Sequence, residues 1–457
     1  MSTPTKTFAL LLSFTWLAGA VSGQTQVDPK TAIRMLNSQQ HQFEQAIVQV
    51  ADNIYTAVGY HGANTSMIVG TDGVIIIDTL RGPASAAKAA EAFRKYSDKP
   101  VKAIVYTHSH GDHTGGASAF VGSEKPDIYA TKGFGSATGL NKAVGPIGMK
   151  RGARQFGRNL SPAESTNRGV APASTTDHDG GKGYLSPTVT VPGSGLKTTI
   201  AGVDIEFHIA PGETDDAMFI WLPSEKVLFS GDNFYHSFPN LYAIRGTPYR
   251  DVLTWSESVA EMAEFRPNVL VPGHTMPIRG EEASTTALKD YSEAIRSVYD
   301  QTILGINAGK SPGQIAHEVK LPEHLKDKPY LIQFYGSVPH AVRAIYSGLL
   351  GWYDGNPTTL NPLAPKQQAE KMAELAGGTQ RLTEQMQVVL EKQDYQWALE
   401  LSDHVKWLDD ADRKLARQVK IAALRGLAAR EYNAPNRNYY LSYANDLESG
   451  RLSDIWF

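Results

Sequence analysis

The chain has 457 residues, a formal net charge of −3 and no cysteine. This length is comfortable for two domains, and the lack of cysteine excludes disulfides and thiolate metal ligands. Its 44 basic and 47 acidic residues are dispersed along the sequence, so no clustered basic face indicates binding to nucleic acid. Any metal site must therefore be built from His, Asp and Glu.

The N-terminal segment, residues 1–23, has the pattern of a secretory signal peptide. One cationic side chain, Lys6, precedes an apolar run over residues 8–21, and small residues follow it. The run is too short to favour a transmembrane helix, and the alternative is a buried N-terminal helix. No other apolar run approaches membrane-spanning length. We therefore expect a periplasmic or secreted protein without stable membrane insertion.

The next part of the chain predicts a hairpin, a helix and a strand in that order. Two apolar runs flank Thr-Asp-Gly at residues 71–73, and Asp-Gly is a strong hairpin signal. Asp78 closes the second run, where we expect it to orient loops beneath a site rather than to ligate metal. Residues 85–96 are alanine-rich and amphipathic, which predicts a helix, and residues 101–106 have the pattern of a strand.

The stretch Thr-His-Ser-His-Gly-Asp-His at residues 107–113 follows this strand. Three imidazoles and one carboxylate so close together are too many polar groups to bury without a partner, and zinc suits both ligand types. His108 and His110 can converge on one ion, whereas Asp112 and His113 can converge on a second. The alternative is a polar turn that is merely rich in His, but these offsets after a strand favour a metal site.

Residues 139–187 differ in composition from their surroundings. Gly, Pro, Ser, Thr and Asn dominate there, interleaved with basic side chains. A long loop of this kind inside a compact domain is usually a lid or a disordered linker. Because it lies between two metal-binding segments, we expect a lid or a substrate-channel wall.

Three further predicted strands end in a possible metal ligand. Short apolar strands precede Glu213, Asp232 and His274. Each signal alone is weak, because an acidic residue after a strand is usually a cap or turn residue. Together with the central motif they form a set of candidate ligands that all follow apolar strands: His108, His110, Asp112, His113, Glu213, Asp232 and His274.

From about residue 365 onward, the spacing of apolar residues predicts helices. Apolar residues recur at helical spacing over 380–393, 394–408 and 411–430. These segments predict antiparallel helical hairpins. Such a bundle either pairs with a second copy of the chain or merely caps the preceding domain.

These motifs resemble the metallo-β-lactamase superfamily, in which a four-layer αβ/βα sandwich holds one or two metals in strand-end loops. The resemblance rests on residues 107–113, on Pro-Gly-Glu-Thr from Pro211, on Ser-Gly-Asp-Asn from Ser230 and on Pro-Gly-His from Pro272. It covers roughly residues 47–303.

At position 213 the sequence resembles the alkyl sulfatases, a branch of the superfamily that has Glu where most members have His. Residues 240–246 resemble the sulfate-binding segment of that branch, and the run from Gly336 resembles the start of its helical dimerisation domain. Two features depart from the branch. Asp232 stands where known alkyl sulfatases have Glu, and the sequence ends at Phe457 without the lipid-carrier-like third domain they often carry.

The implied fold class is α+β. A four-layer αβ/βα metallo-β-lactamase sandwich is expected over residues 24–335, with residues 139–187 as a lid-like insertion. An all-α helical-hairpin dimerisation domain then spans residues 336–457. The resemblance implies a homodimer.

The resemblance also implies two Zn²⁺ per chain, bound by three groups of residues: His108, His110 and Glu213 on the first, Asp112, His113 and His274 on the second, and Asp232 as a bridge. Metal coordination lowers the pKa of bound water to about 7. The implied activity is hydrolysis of alkyl sulfate esters to alcohol and inorganic sulfate through a metal-bound hydroxide. Asp112 and Asp232 then count as catalytic residues as well as ligands.

Such a centre has no net formal charge, so fixed cations should stand near the anionic sulfate. Arg245, which we also count as catalytic, and Arg250 are the candidates because guanidinium matches tetrahedral oxyanions; the alternative for each is a surface ion pair. Asn240 can donate a further hydrogen bond, and Tyr184 either lines the pocket or packs as an ordinary tyrosine. His340 is a candidate acid, or else a core or capping histidine.

The sequence thus predicts a zinc-dependent alkyl sulfatase whose substrate is a small sulfate ester. One rival is another dizinc ester hydrolase, such as a lactonase, phosphodiesterase or β-lactamase; the Pro-Gly-Glu-Thr segment and the helical tail argue against it. A second rival is a non-catalytic periplasmic zinc-binding protein, which would have no use for paired arginines or a lid.

Overall fold

The structure is a computed structural model that describes residues 25–135, 143–174 and 178–451. The predicted signal peptide lies outside these ranges. Among the helices within them, we find none with both the length and the apolar character needed to cross a membrane.

A seven-stranded sheet forms the first half of the chain, with its strands in sequence order. They are β1 (Ala46–Ala51), β2 (Ile54–Val58), β3 (Thr65–Val69), β4 (Val74–Ile77), β5 (Val101–Val105), β6 (Asp127–Thr131) and β7 (Val189–Val191). Strands β1 to β4 pair antiparallel, and β4 to β7 pair parallel. The carboxyl ends of β4, β5 and β6 therefore meet at one edge of the sheet.

A six-stranded sheet follows, in the order β13-β12-β11-β10-β9-β8. Its strands are β8 (Leu196–Ile200), β9 (Val203–Ile209), β10 (Met218–Leu222), β11 (Val227–Gly231), β12 (Val269–Pro272) and β13 (Ile278–Arg279). Only the β11–β12 pair is parallel among the pairs of this sheet. The two sheets face each other across one apolar core that includes Ile75, Val105, Phe207, Ile220 and Phe229.

Helices cover the outer face of each sheet. The first sheet packs on α2 (Pro83–Phe93), and the second packs on α6 (Val252–Glu264) and α7 (Glu281–Asn307). The remaining helices of this half are α1 (Pro29–Ser38), α3 (Gly111–Thr114), α4 (Ser118–Val121), α5 (Gly145–Gln155), α8 (Pro312–Glu318) and α9 (Val338–Leu350). The two inner sheets and two outer helical layers confirm the predicted four-layer sandwich.

The C-terminal region is all-helical, as predicted. It comprises α10 (Pro357–Leu360), α11 (Pro365–Ala376), α12 (Thr379–Glu391), α13 (Tyr395–Val405), α14 (Asp410–Ala429) and α15 (Ala434–Glu448). Its core, with Leu382, Met386, Leu401 and Val419, is separate from those of the sandwich. Helix α9 packs instead in the core of α6 and α7, and the domain boundary at residue 336 stays a prediction.

The described part of residues 139–187 contains helix α5 and is fastened to helix α15 of the C-terminal region. Buried Arg154 pairs with Asp446 at 2.9 Å. Arg437 donates to the carbonyl of Glu164 at 2.6 Å. These contacts hold the segment against helix α15. The segment also forms one wall of the cavity described below.

Candidate metal centre and its cavity

The metal-ligand candidates of the central motif lie where strand β5 ends. His110 precedes the first turn of α3, so Asp112 and His113 belong to a helix that begins directly at the site. The backbone of this loop is held to the second sheet, because Met218 N donates to Thr107 O at 2.9 Å. The short loop thus spans both sheets at their common edge.

The structure brings two groups of three potential ligands together. His108, His110 and Asp232 form one group, and Asp112, His113 and His274 form the other; the ligand atoms of each group lie within 4.8 Å of one another. Asp232 contacts both, since its Oδ2 lies 3.7 Å from His108 Nε2 and 3.2 Å from His274 Nε2. This is the position expected of the bridging residue.

Each buried imidazole is oriented by a hydrogen bond at its other nitrogen. Nδ1 of His113 lies 2.7 Å from Asp78 Oδ2, and Nδ1 of His274 lies 2.7 Å from Gly62 O. Nδ1 of His108 lies 3.0 Å from Thr107 Oγ1. In all three the Nε2 atom is left to face the centre, which is how partners of this kind orient metal-bound histidine.

Asp78 has the orienting position that its place after β4 predicts. Its carboxylate accepts from the backbone N and the hydroxyl of Thr107, both at 2.8 Å, and it contacts His113. Its backbone has a φ of 54°, a left-handed conformation that is uncommon for a residue with a side chain. Such strain concentrates at functional sites.

Glu213 lies in the loop after β9, and this loop places its side chain in the site. Its backbone N donates to Asn233 Oδ1 at 3.0 Å, and a side chain on neighbouring Gly212 would clash with that same oxygen. Glu213 Oε1 lies 3.7 Å from His110 Nδ1 and 2.8 Å from Arg250 Nη2. Burial raises the pKa of Glu213 although Arg250 opposes this.

The donor set fits divalent metal. Glu213 Oε2 is buried without a hydrogen-bond partner, and such an atom is costly unless something binds it. His113 Nε2 and Asp232 Oδ1 face each other at 3.2 Å without a well-formed hydrogen bond. Burial alone would raise the pKa of Asp232, but His113 and His274 hold it well below its ordinary value. Imidazoles and carboxylates at these positions are the ligands that zinc takes.

The centre opens into a cavity of about 710 Å³, a size typical of ligand sites. His110, Asp112, Glu213, Asp232 and His274 face it. A second part of its lining comes from the segment attached to α15 and includes the apolar side chains Val144, Ile147, Met149, Phe156 and Val170. A single cavity therefore joins a polar metal centre to an apolar wall.

Of the predicted substrate residues, Arg245 lines this cavity. Its guanidinium carbon lies 5.6 Å from the centre of the Phe156 ring, and its backbone N donates to Gln155 Oε1 at 2.8 Å. Arg245 is thus carried on a loop that packs against the end of α5, on the His110 side of the centre.

The other substrate and acid candidates are not among the described residues that line the cavity. Arg250 is buried against Glu213 and donates to Asn240 O at 2.5 Å, so it positions a metal-ligand candidate. Asn240 is itself buried behind that pair. Tyr184 is 43% exposed and stacks on Tyr106. His340 lies in the first turn of α9, where burial lowers its pKa to about 4.

Several cavity residues were missed from the sequence. They are His61, Arg81, Arg168 and Tyr335. No chemical motif surrounds them: His61 lies in the loop after β2, Arg81 follows β4, and Arg168 lies in the compositionally biased segment. The basic residues in that segment were the only signal that could have pointed to Arg168.

Comparison with known proteins identifies relatives across almost the whole chain. Residues 58–274 match the model of the metallo-beta-lactamase superfamily, and residues 311–450 match the model described as alkyl sulfatase dimerisation. The chain is 37% identical over 399 residues to a linear primary-alkylsulfatase of Pseudomonas sp. (strain ATCC 19151), covering 85% of this chain and 75% of that protein. It is 31% identical to the alkyl/aryl-sulfatase BDS1 of Saccharomyces cerevisiae, covering 88% of this chain and 64% of that one.

Solved structures agree. The stereoselective inverting sec-alkylsulfatase Pisa1 from Pseudomonas sp. superposes with a TM-score of 0.84 at 29% identity, covering 94% of this chain and 69% of that one. The fold, both family models and the relatives point the same way. The chain belongs to the alkylsulfatase family of the metallo-β-lactamase superfamily.

Proposed function

We propose that this protein hydrolyses alkyl sulfate esters to alcohol and inorganic sulfate with the help of two zinc ions. One observation carries the proposal. Two groups of potential ligands meet at Asp232, which belongs to one group and contacts the other, and Asp232 faces a cavity that also presents Arg245 and apolar side chains. An alkyl sulfate has the matching parts, a tetrahedral anion and a hydrocarbon tail.

The protein side chains provide binding and orientation. Arg245 binds the sulfate oxygens, because its guanidinium offers paired donors. The apolar wall that includes Val144, Ile147 and Met149 takes the tail. Tyr335 also faces the cavity, and burial raises its pKa to about 12, so its hydroxyl stays protonated at neutral pH and can donate a hydrogen bond.

The residues that would hold the metals are the two groups of three, with Glu213 next to His110. Zinc bound there would supply Lewis acidity and a water of lowered pKa. Asp78 fixes His113 so that its Nε2 atom keeps facing Asp232, 3.2 Å away. The burial of these ligands limits the access of bulk water to the reacting end of the substrate.

We also propose that the protein is a homodimer and that its N-terminus directs export. Supporting the dimer, the segment from Ser347 to about Lys366 is almost entirely exposed yet carries Leu350 at 55%, Trp352 at 76% and Leu363 at 53% exposure. Several large apolar side chains exposed within one segment are a feature of interaction surfaces. Size-exclusion chromatography with light scattering tests the dimer, and fractionation of expressing cells tests export.

The experiment for the activity compares three substrate classes with zinc-loaded protein. We expect sulfate release from hexyl to dodecyl sulfate and no turnover of nitrocefin or of an aryl phosphodiester. Arg245→Ala should lower sulfate release strongly and leave the zinc content intact, whereas the exposed control Arg296→Ala should change neither. Turnover of only nitrocefin or the phosphodiester would reject the sulfatase proposal, and turnover of none would favour a zinc-binding protein.

A further inference from the structure

Two of the apolar side chains that line the cavity are also largely exposed to solvent. Val144 is 53% exposed and Met149 is 71% exposed. The metal-ligand candidates Glu213, Asp232 and His274, which face the same cavity, are between 4% and 6% exposed. The buried polar residues therefore form the floor of the cavity, and Val144 and Met149 lie at its opening. The cavity is polar inside and apolar at its mouth.

Helix α5 carries this opening and is anchored at its other end. Arg154 in its last turn pairs with Asp446 at 2.9 Å. Gln155, the last residue of the helix, accepts from the backbone N of Arg245 at 2.8 Å. These contacts fix the C-terminal half of α5, so its first turns are held at the opening of the cavity.

The face of α5 that lines the cavity is made of glycine. Gly145, Gly148 and Gly152 recur at the spacing of one helix face, and all three belong to the cavity lining. A Cβ atom on any of them would meet nothing within 4 Å in the described part of the chain. Gly152 is buried, whereas the other two are partly exposed. Open space therefore leads along the helix from the inside of the cavity to its mouth.

This arrangement determines which end of an alkyl sulfate lies inside. The sulfate lies at the floor, beside Arg245 and the metal ligands, and the hydrocarbon tail runs along the glycine face of α5. A chain longer than the cavity ends outside it, next to Val144 and Met149. Contact of that end with water is unfavourable, so a long ester binds best when its tail stays in apolar surroundings.

The mouth carries positive charge as well as apolar side chains. Lys150 follows Met149 on α5 and is exposed. The sequence contains no acidic residue between Asp127 and Glu164, so no carboxylate of this segment opposes the charge of Lys150. Helices that expose apolar and basic side chains together are typical of proteins that lie on anionic amphiphile surfaces. We call Val144, Met149 and Lys150 the cavity rim.

An alkyl sulfate micelle has the complementary surface, because anionic headgroups cover its apolar interior. A second copy of the rim is a poor alternative, since two rims in contact would bring like charges together. The large apolar side chains Leu350, Trp352 and Leu363 of the proposed dimer surface are not part of the described cavity lining. Charge complementarity therefore favours the micelle as the occupant of the rim.

We propose that the cavity rim binds the surface of alkyl sulfate micelles and that the enzyme takes its substrate directly from them. This inference rests on the proposed sulfatase function and names the physical form of the substrate. An ester that leaves the micelle with its sulfate first reaches the metal centre while its tail remains in contact with the micelle or the rim. Lys150 contacts the headgroups of neighbouring esters that stay in the micelle.

The first experiment measures binding without turnover. Zinc-loaded protein is passed over a size-exclusion column with dodecyl maltoside micelles that contain dodecyl sulfonate, which has no ester oxygen and cannot be hydrolysed. We expect the protein to elute with these anionic micelles and to elute separately from pure dodecyl maltoside micelles. Because the attraction is partly electrostatic, the binding should weaken as the salt concentration rises.

The second experiment compares two substrates through variants of Lys150, which is not among the described residues that line the cavity. The substrates are dodecyl sulfate held in dodecyl maltoside micelles and monomeric hexyl sulfate in the same solution. We expect Lys150→Gln to lower kcat/KM for the micellar ester about fivefold, as for one basic side chain near an anionic surface, and to leave hexyl sulfate unchanged. Lys150→Arg should keep the original value because it keeps the charge.

Further variants separate the apolar part of the rim from the general surface. Met149→Gln should lower kcat/KM for micellar dodecyl sulfate by a larger factor than for hexyl sulfate, because hexyl sulfate has no tail beyond the mouth. Lys371→Gln, at an exposed lysine of α11 that is paired with Glu374, is the control and should change neither substrate. Zinc content and circular dichroism of each variant show whether the metal centre and the fold survive.

Four outcomes would overturn the proposal. Equal retention, or none, by anionic and non-ionic micelles would show that the rim recognises no anionic amphiphile. Binding to phosphatidylglycerol vesicles but not to the sulfonate micelles would assign the rim to a phospholipid membrane. Equal losses on both substrates in Lys150→Gln would assign Lys150 to the common reaction. Dissociation of a dimer by Met149→Gln would assign the rim to a second copy of the chain.

Failure of the sulfatase proposal is a different result. A protein that releases sulfate from neither ester is not a sulfatase, whereas micelle binding is measured with a compound that cannot be hydrolysed. A protein that hydrolyses hexyl sulfate but does not elute with the anionic micelles keeps the proposed function and loses this inference.

Discussion

The two halves of the metal centre are held by different means. On one side His113 is fully buried and hydrogen-bonds the carboxylate of Asp78, and His274 hydrogen-bonds a backbone carbonyl. On the other side the His110 side chain is 23% exposed, and its neighbour Glu213 is paired with the guanidinium of Arg250. Hydrogen bonds alone orient His113 and His274 in the first half, whereas the second half combines the hydrogen bond that orients His108 with charge compensation at Glu213.

This difference indicates which substitutions should disturb each half. We expect His113 and His274 to keep their orientation when the metal is removed, because their hydrogen-bond acceptors, Asp78 and the carbonyl of Gly62, are not candidate metal ligands. In the His110 half Arg250 contacts Oε1 of Glu213 and leaves Oε2 without a hydrogen-bond partner, so a metal and Arg250 would share one carboxylate. Asp232 contacts both halves, so changes there should affect both.

The largest effect is expected from Asp232→Asn, which removes the charge shared by the two halves. We expect zinc to fall below one equivalent per chain and sulfate release to fall by about a thousandfold or more, since several kcal/mol of metal-derived stabilisation is lost. Metal analysis and a sulfate-release assay measure this. Asp204→Asn, on a strand away from the site, is the control, and a variant retaining two zinc ions would contradict the bridging position.

The next effect separates the halves through Arg250→Gln. Removing one partner leaves the buried Glu213 charge uncompensated in metal-free protein, which costs about 3–5 kcal/mol. We expect a clear fall in Tm of the metal-free form and a smaller fall when zinc is bound, measured by calorimetry. The double variant Arg250→Gln with Glu213→Gln should recover part of the loss; no recovery would mean that Arg250 acts apart from Glu213.

Asp78→Asn tests the other half. The amide weakens the orientation of His113, and loss of such a partner typically lowers metal affinity by about 10- to 100-fold. Competition with a chelating dye should show the larger weakening at the zinc equivalent of His113, which Asp78 contacts directly, and a smaller one at the equivalent of His108, which Asp78 reaches only through Thr107. Asp72→Asn, an exposed residue that pairs with Lys102, is the matched control. Equal weakening of both equivalents would remove the distinction between the halves.

The smallest expected effect is a difference between the rates at which a chelator removes the two metal equivalents. We expect the equivalent on the His110 side to leave first, because His110 is partly exposed and Arg250 still compensates the charge of Glu213 after the metal has left. His110→Ala should then keep one slowly released zinc, and His274→Ala should lose that slow phase. Stopped-flow chelation with a chromogenic ligand measures the two rates, and a single common rate in the unaltered protein would contradict this order.

Much of the centre was predictable because its ligands follow a simple local rule. His108, Asp232 and His274 each come directly after a short apolar strand, and parallel pairing brings such strand ends to one edge. The Asp-Gly turn before β4 and the periodic helices α12 to α14 were equally local signals. Their predicted ends differ from the structure by only a few residues.

The rest depends on contacts between distant parts of the chain. Arg168 reaches the cavity because its segment is fastened across it, and Arg250 turns to Glu213 because both are buried at the same place. The residues next to Arg168 and Arg250 in the sequence give no signal for either contact. The 27-residue helix α7 and helix α15 also escaped prediction; α15 has only a weak amphipathic pattern, since it is covered on several sides by α14 and α5.

The attachment of the cavity wall to helix α15 makes the C-terminal region one of the parts that shape the cavity. Arg154 and Glu164 tie that wall to Asp446, Arg437 and Arg425. The apolar wall of the cavity is therefore held in place by a residue 292 positions later in the sequence. Exchanging the terminal helices between relatives should transfer tail-length preference while the metal chemistry remains that of the recipient.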